Sequence, residues 1–372
     1  MPVNDIFQKL HEIAVSPKAQ KEKYLAQGKK VVLVAPPYTP EEIVHSMGCV
    51  PMGAWGADIA LNESKKYFPA FICSVVQSIV ELGIRGDYEG CSAIVIPSLC
   101  DSLKVLGQNF KYAVPSIPFI PMTYPQNRRP AYGKAYTMDG YARVIADLER
   151  VTGEQISQEK LQTSIEIYNR HNAVMREVTS ELAKHPEVGA QQRSDMFKSA
   201  FFMTKEEHTA LMEALLEALR AQKPTGEKIP VMISGILADA PALNAIFDKQ
   251  NLHIVSDDIA AQSRQYRTDA PEAGSAIESL AKKFCSMGNC SLLYDPAKGH
   301  VHEVVRLTQE SNAKGVIIVL TKFCDPEEFD YPLIKKACAA AEIPLTIVEI
   351  DRQMSDYAQV ETALEAFSEM LR

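Results

Sequence analysis

Gly315-Val316-Ile317-Ile318-Val319-Leu320-Thr321-Lys322-Phe323-Cys324-Asp325-Pro326-Glu327-Glu328 is an apolar run that stops at a Cys-Asp pair. Ala93-Ile94-Val95-Ile96-Pro97-Ser98-Leu99-Cys100-Asp101-Ser102 does the same earlier in the chain. Each reads as a buried parallel strand, a thiol in the following loop and a helix start. In open α/β sheets the loops after the strand C-termini are where ligands sit. Thiols placed there twice, in a reduced compartment, point to a metal or a cluster rather than a disulfide.

Working outward, the strand order repeats. In the first half Lys29–Ala35 reads as a strand, Pro40–His45 as a helix and Cys49–Trp55 as a second strand. A helix over about Ala70–Leu82, the strand ending near Pro97 and the strand Ile117–Met122 complete that half. In the second half Ile229–Gly235 is a strand, Pro241–Lys249 a helix and Leu252–Ser256 a strand running into Asp257-Asp258. The strand ending near Thr321 and Ile343–Ile350 follow. Between the halves, Ser157–Ala183 and Lys205–Ala221 show helical periodicity, and Lys223-Pro224-Thr225-Gly226 breaks it. Strands alternating with helices imply parallel sheets covered on both faces. The expected fold is α/β: two open doubly wound parallel-sheet domains, internally duplicated and flavodoxin- or Rossmann-like, joined by a helical hairpin. The expected boundaries are 1–155 for the first α/β domain with its N-terminal helix, 156–224 for the helical connection and 225–372 for the second α/β domain. If the two sheets face each other, Cys100 and Cys324 meet in the cleft between them.

The bulk numbers agree with a two-domain protein. The chain has 372 residues, 46% hydrophobic and 23% charged, and a formal net charge of −8 without a basic block. That balance argues against nucleic acid or an anionic membrane as partner. No apolar stretch is long enough to span a bilayer, and MPVNDIFQKLHEIAVSPKAQKEKY reads as an amphipathic helix rather than a secretory signal. The expected location is the cytoplasm. Eight cysteines in this length are too sparse for a disulfide scaffold.

The Cys324 loop carries helix-start chemistry: Asp325 as cap, Pro326 at the first position, Glu328 at the third. Asp101 or Ser102 fills the capping part beside Cys100. A helix N-terminus brings partial positive charge and free N–H groups, both of which favour a thiolate. The third thiol is Cys73, in Tyr67-Phe68-Pro69-Ala70-Phe71-Ile72-Cys73-Ser74, at the start of a helix. Cys49, Cys91, Cys285, Cys290 and Cys338 read as small buried hydrophobes. Three dispersed thiolates suit zinc or a [4Fe–4S] cluster with one iron left open; buried, unligated thiols remain the plainer alternative. The sequence lacks the C-x₂-C pairs of structural zinc sites.

At these residues the chain resembles the β-type, smaller subunit of the oxygen-sensitive 2-hydroxyacyl-CoA dehydratases of anaerobes, a family that includes benzoyl-CoA reductase. The resemblance runs through nearly the whole chain. It rests on Pro40–His45, Pro51-Met52-Gly53-Ala54-Trp55-Gly56, Phe68–Ser74, Cys100–Leu103, Gln108–Lys111, Pro125–Arg128, Ser263–Gln265 and Lys322–Glu328. It implies a [4Fe–4S] cluster on Cys73, Cys100 and Cys324, with an open or exogenously ligated fourth iron. It also implies a homologous α-type subunit that holds most of the 2-hydroxyacyl-CoA substrate, and a homodimeric ATP-dependent iron–sulfur activator. The implied reaction is a lyase reaction: one injected electron turns the thioester carbonyl of an (R)-2-hydroxyacyl-CoA into a ketyl, water is eliminated, and the (E)-2-enoyl-CoA is released with the electron returned. Converting the carbonyl to a ketyl and then, by loss of the 2-hydroxyl, to an enoxy radical makes labile a β-proton that no side-chain base could otherwise remove. A related acyl-CoA or benzoyl-CoA-type reductase subunit, and a non-catalytic electron relay, are the alternatives.

Other residues carry two readings each. Ser98 and Ser102 flank Cys100 and could approach the fourth iron, although Ser102 also suits helix capping. Arg264 and Arg267 either tune a nearby cluster and meet CoA phosphates or simply pair with Asp257, Asp258 and Asp269; pairing is the expectation. His45 reads as structural, Trp55 as core or partner interface, and Lys111 and Arg128 as solvated surface.

Overall fold

A computed structural model describes all of residues 1–372. The strands are β1 Val31–Val34, β2 Val50–Gly53, β3 Ala93–Pro97, β4 Phe119–Met122, β5 Ile229–Gly235, β6 Leu252–Ile259, β7 Gly315–Thr321 and β8 Leu345–Ile350. They form two four-stranded sheets in the orders β2-β1-β3-β4 and β6-β5-β7-β8, so the duplication read from the sequence is a duplication of topology. Every pairing is parallel: Val32 lies beside Ala93, Ile94 beside Phe119, Ile233 beside Ile317 and Ile317 beside Thr346.

The reason is in the composition of the central strands. β1, β3 and β7 are buried along their whole length, which only a sheet covered on both faces can do. Each fully buried Val, Ile or Leu is worth about 1.5–3 kcal/mol relative to exposure. In both sheets the order reverses between the first and third strands of the half, β1/β3 and β5/β7, and that is the switch point where a crevice opens at the strand C-termini.

Several boundaries differ from the sequence reading. The helix expected from Ala70 begins at Ser74 and runs to Ile84, because Pro69 and the turn after it keep Ala70–Cys73 out of helical geometry. β6 continues through Asp257 and Asp258, since both carboxylates find cationic partners in the interior. The connection holds more than a hairpin: Gln158–Leu182 and Lys205–Arg220 pack together, with Ala190–Ser199 between them in sequence. The helix Ala131–Thr152 was masked in the sequence by Gly133 and Gly140. Both glycines are there for close approach: a Cβ at Gly133 would meet the Arg128 carbonyl oxygen at 2.6 Å, and one at Gly140 the Met122 methyl at 3.0 Å. No helix is long and apolar enough to cross a membrane.

Candidate functional site

A cleft of about 480 Å³ lies at the C-terminal edges of both sheets. Pro36 and Pro37 after β1, Leu99 to Lys104 after β3, Ile236 after β5, Ala260 after β6 and Phe323 to Pro326 after β7 all reach it. Cys73, Cys100 and Cys324 line this one cleft. The two halves therefore bring together three thiols that lie far apart in sequence.

Each of the three occupies the same local position: it is the last residue before a helix. Cys73 precedes Ser74–Ile84, Cys100 precedes Asp101–Ala113 and Cys324 precedes Asp325–Ala340. The sequence reading gave the cap to Asp325 and to Asp101 or Ser102. Instead Asp325 and Asp101 are the first helical residues, Pro326 is second and Glu327, not Glu328, is third. The Cys324 carbonyl accepts the first helical N–H groups, from Glu327 and Glu328, each at 3.0 Å. Phe323 makes the turn between β7 and Cys324 with φ +62°, a left-handed conformation that bulky residues rarely adopt.

Three helix N-termini thus converge on the cleft, each presenting first-turn N–H groups toward a sulfur without closing a hydrogen bond to it. Burial pushes the Cys73 thiol up to about 12, against the opposing pull of the Val75 and Val76 N–H groups. Burial also raises Cys100, opposed by the N–H groups of Leu103 and Ser102. Cys324 is raised well above its ordinary value by burial, then by the Glu327 carboxylate and by Cys73, while the Glu327 N–H opposes them. A soft cation in place of the three protons would remove the cost that burial sets on the thiolates. No three His, Cys, Asp or Glu side chains close onto a single point as the ligands of one metal ion do. The donor set is soft, dispersed over three loops and supported by free N–H groups, which fits a sulfide-bridged iron group better than one zinc ion.

The remaining residues fall into place around this cleft. Cys290, read as a plain buried thiol, is buried but also lines the cleft, as does Ser291. Cys49, Cys91, Cys285 and Cys338 do not line it. Ser102 borders the cleft, whereas Ser98 accepts the Tyr124 N–H at 3.1 Å. Trp55 lines the cleft, lies 5.1 Å from the Phe201 ring and gives its carbonyl to Arg352 at 3.2 Å. His45 is held by Ser164 at 2.9 Å and Glu206 at 3.1 Å, as a structural histidine is.

Arg128 is 1% exposed, which overturns its reading as solvated surface. Its guanidinium donates to the carbonyls of Met287, at 3.0 Å from Nε, and of Tyr294, at 2.8 Å, so a first-half residue braces the second-half loop that carries Cys290 and Ser291. Arg264 is paired as expected with Asp258, at 3.0 Å. It has a further carboxylate that the sequence did not suggest: Glu327, at 3.3 Å. Asp257 pairs with Arg193 and Asp269 with Arg176, so neither is a partner of Arg264. His300 sits between Asp258 at 2.7 Å and Asp330 at 2.9 Å. Burial works against its charge, but Asp258 and Asp330 outweigh it and lift His300 to about 10.

The sequence profile of one family, described as 2-hydroxyglutaryl-CoA dehydratase, D-component, matches residues 36–371. The chain is similar to the (R)-phenyllactyl-CoA dehydratase beta subunit of Clostridium sporogenes, 42% identical over 98% of both chains. It is similar to the beta subunit of (R)-2-hydroxyglutaryl-CoA dehydratase of Acidaminococcus fermentans, 38% identical over 100% of both. It is also similar to the lactoyl-CoA dehydratase subunit beta of Anaerotignum propionicum, 38% identical over 99% of both.

Proposed function

The chain belongs to the 2-hydroxyglutaryl-CoA dehydratase D-component family, and on that premise we propose that it is the β-type subunit of an (R)-2-hydroxyacyl-CoA dehydratase holding a [4Fe–4S] cluster on Cys73, Cys100 and Cys324. The observation that carries the reading is the shared placement of those thiols, each directly before a helix and all lining one cleft. Three protein thiols leave one iron open or ligated from outside. What the bound group supplies is one-electron chemistry at low potential.

The chain's own part is holding and shielding. Trp55, Leu99, Leu103, Leu292, Leu293 and Phe323 make the cleft wall largely apolar, which limits water at the thiols. The first-turn N–H groups stabilise negative charge on sulfur. Arg128 and Arg352 fix the loops of one half against the other, so the three thiols keep their spacing. The partners this reading calls for are a homologous α-type subunit, which carries most of the hydroxyacyl-CoA site, and a homodimeric ATP-dependent iron–sulfur activator.

The test is an anaerobic assay of the chain with both partners, ATP and a panel of (R)-2-hydroxyacyl-CoA thioesters. The expected outcome is an (E)-2-enoyl-CoA formed with far fewer electrons consumed than product made. Stoichiometric consumption of reductant with a reduced acyl product would move the protein to the reductase branch. A fully loaded assembly without turnover of any thioester would leave only an electron relay.

A further inference from the structure

Glu327 is third in the Cys324 helix and 1% exposed. A glutamate there ordinarily reaches back to the N–H of the residue before the helix. Here that N–H, on Cys324, is taken by the Thr321 carbonyl at 3.0 Å. The Glu327 side chain turns the other way, to Ser291 and Arg264: Oε1 accepts from Ser291 Oγ at 2.6 Å and from Arg264 Nη1 at 3.3 Å. Its other oxygen, Oε2, is buried with no partner. A buried carboxylate oxygen left bare is destabilising, so the arrangement calls for an explanation beyond stability.

Arg264 does not neutralise this charge alone, because most of its donors are spoken for. Nε donates to Asp258 Oδ1 at 3.0 Å, and Nη2 donates to Asp258 Oδ2 at 3.1 Å, to the Asp258 carbonyl at 2.7 Å and to the Gly235 carbonyl at 3.3 Å. The other charges nearby also pair among themselves: Arg267 with Asp258, His300 with Asp258 and Asp330, and Lys298 with Asp330. Glu327 keeps a residual negative charge one helical turn from Cys324, in an interior where it is poorly screened.

We propose that Glu327 is a positioning residue for the cleft: its partly balanced charge, set by Arg264 and Ser291, holds the group bound by Cys73, Cys100 and Cys324 at low reduction potential. This rests on the cluster reading above. Negative charge beside an iron–sulfur group disfavours its gaining an electron, and hydrogen bonds that soak up that charge oppose the effect. Ser291 therefore works against Glu327, and removing either one moves the potential in opposite directions.

The experiment compares the native chain, Glu327→Gln and Ser291→Ala after anaerobic loading with iron and sulfide, followed by redox titration monitored by electron paramagnetic resonance. Glu327→Gln keeps the shape and loses the charge. At a fixed ambient potential its reduced-to-oxidised ratio is expected to rise about tenfold, which is about 59 mV for one electron. Ser291→Ala leaves Glu327 less compensated, and its ratio is expected to fall by about threefold. If Glu327→Gln does not hold the group, Ser291→Ala decides alone. Ratios unchanged within about twofold, or shifts of the same sign in both variants, would overturn the proposal. A native chain that binds no iron or sulfide would overturn the cluster reading instead, and metal analysis tells the two failures apart.

Discussion

The backbone N–H of Arg352 donates to Ser74 Oγ at 3.1 Å, so the segment after the last strand of the second half touches the residue that follows Cys73 in the first. The Arg352 side chain continues the link. It donates to Asp58 at 3.0 Å and the Trp55 carbonyl at 3.2 Å on the first-half side, and to Asp239 at 2.8 Å on the second-half side. Arg352 is buried, and beside it Asp239 is held well below the usual carboxylate range, Arg352 and Lys198 outweighing its burial.

Replacing Arg352 by Met leaves the half-buried Asp239 with Lys198, at 3.1 Å, as its one remaining cation. The expected loss is about 1.5–3 kcal/mol, as for lost hydrogen bonds to charged groups, read from urea unfolding of the unloaded chain. Arg352→Lys recovers only part of it, because an ammonium cannot bridge three acceptors in fixed planar geometry. A loss under about 1 kcal/mol would contradict the role of Arg352 as the clamp between the halves.

Phe323 supplies a second test. Its left-handed backbone, φ +62°, is what turns the chain from β7 onto the Cys324 helix. Glycine adopts that conformation freely, whereas a β-branched residue resists it. Phe323→Gly is expected to be more stable than Phe323→Val by about 1–2 kcal/mol. Equal unfolding midpoints for the two variants would show that the turn carries no strain.

Much of this was legible in the sequence because the fold depends on local rules. Fully apolar, β-branched runs such as Ile317-Ile318-Val319 bounded by turn residues read as central parallel strands, and their repetition points to two sheets of shared topology. Cys100 and Cys324 followed, since a residue just past such a strand must lie at the sheet's C-terminal edge. What escaped was set by tertiary contact. Arg128 looks like surface until the Met287–Tyr294 loop folds over it. Glu327 looks like a helix-start residue until Arg264, sixty-three positions earlier, draws its side chain away. Gly133 and Gly140 hide a helix whose close contacts no periodicity announces.

The pH dependence of stability follows from two buried histidines of opposite sense. Burial, with Lys205 adding, holds His208 down to about 3, the Met196 carbonyl opposing. Below the unfolded value of about 6.5 the unfolded chain takes a proton that native His208 refuses, so stability falls with pH, by about 1.4 kcal/mol per unit. His300, lifted to about 10, works the other way. Its contribution is fully present below about 6.5 and is lost as pH rises from there toward its native value. In unfolding experiments across pH, His208→Gln is expected to flatten the acid limb and His300→Gln the alkaline limb. Curves that stay parallel to the native one would contradict the assignment.

The central claim is that Cys73, Cys100 and Cys324 act together on one iron–sulfur group, and anaerobic loading followed by iron and sulfide analysis tests it most directly. The native chain is expected to hold about four iron and four sulfide. Serine at Cys73, Cys100 or Cys324 should each abolish most of that, while Cys290→Ser, in the same cleft, and Cys338→Ser, outside it, should retain it. Full loading of the Cys73→Ser and Cys324→Ser chains, or a native chain that takes up a single zinc ion and no sulfide, would contradict the account.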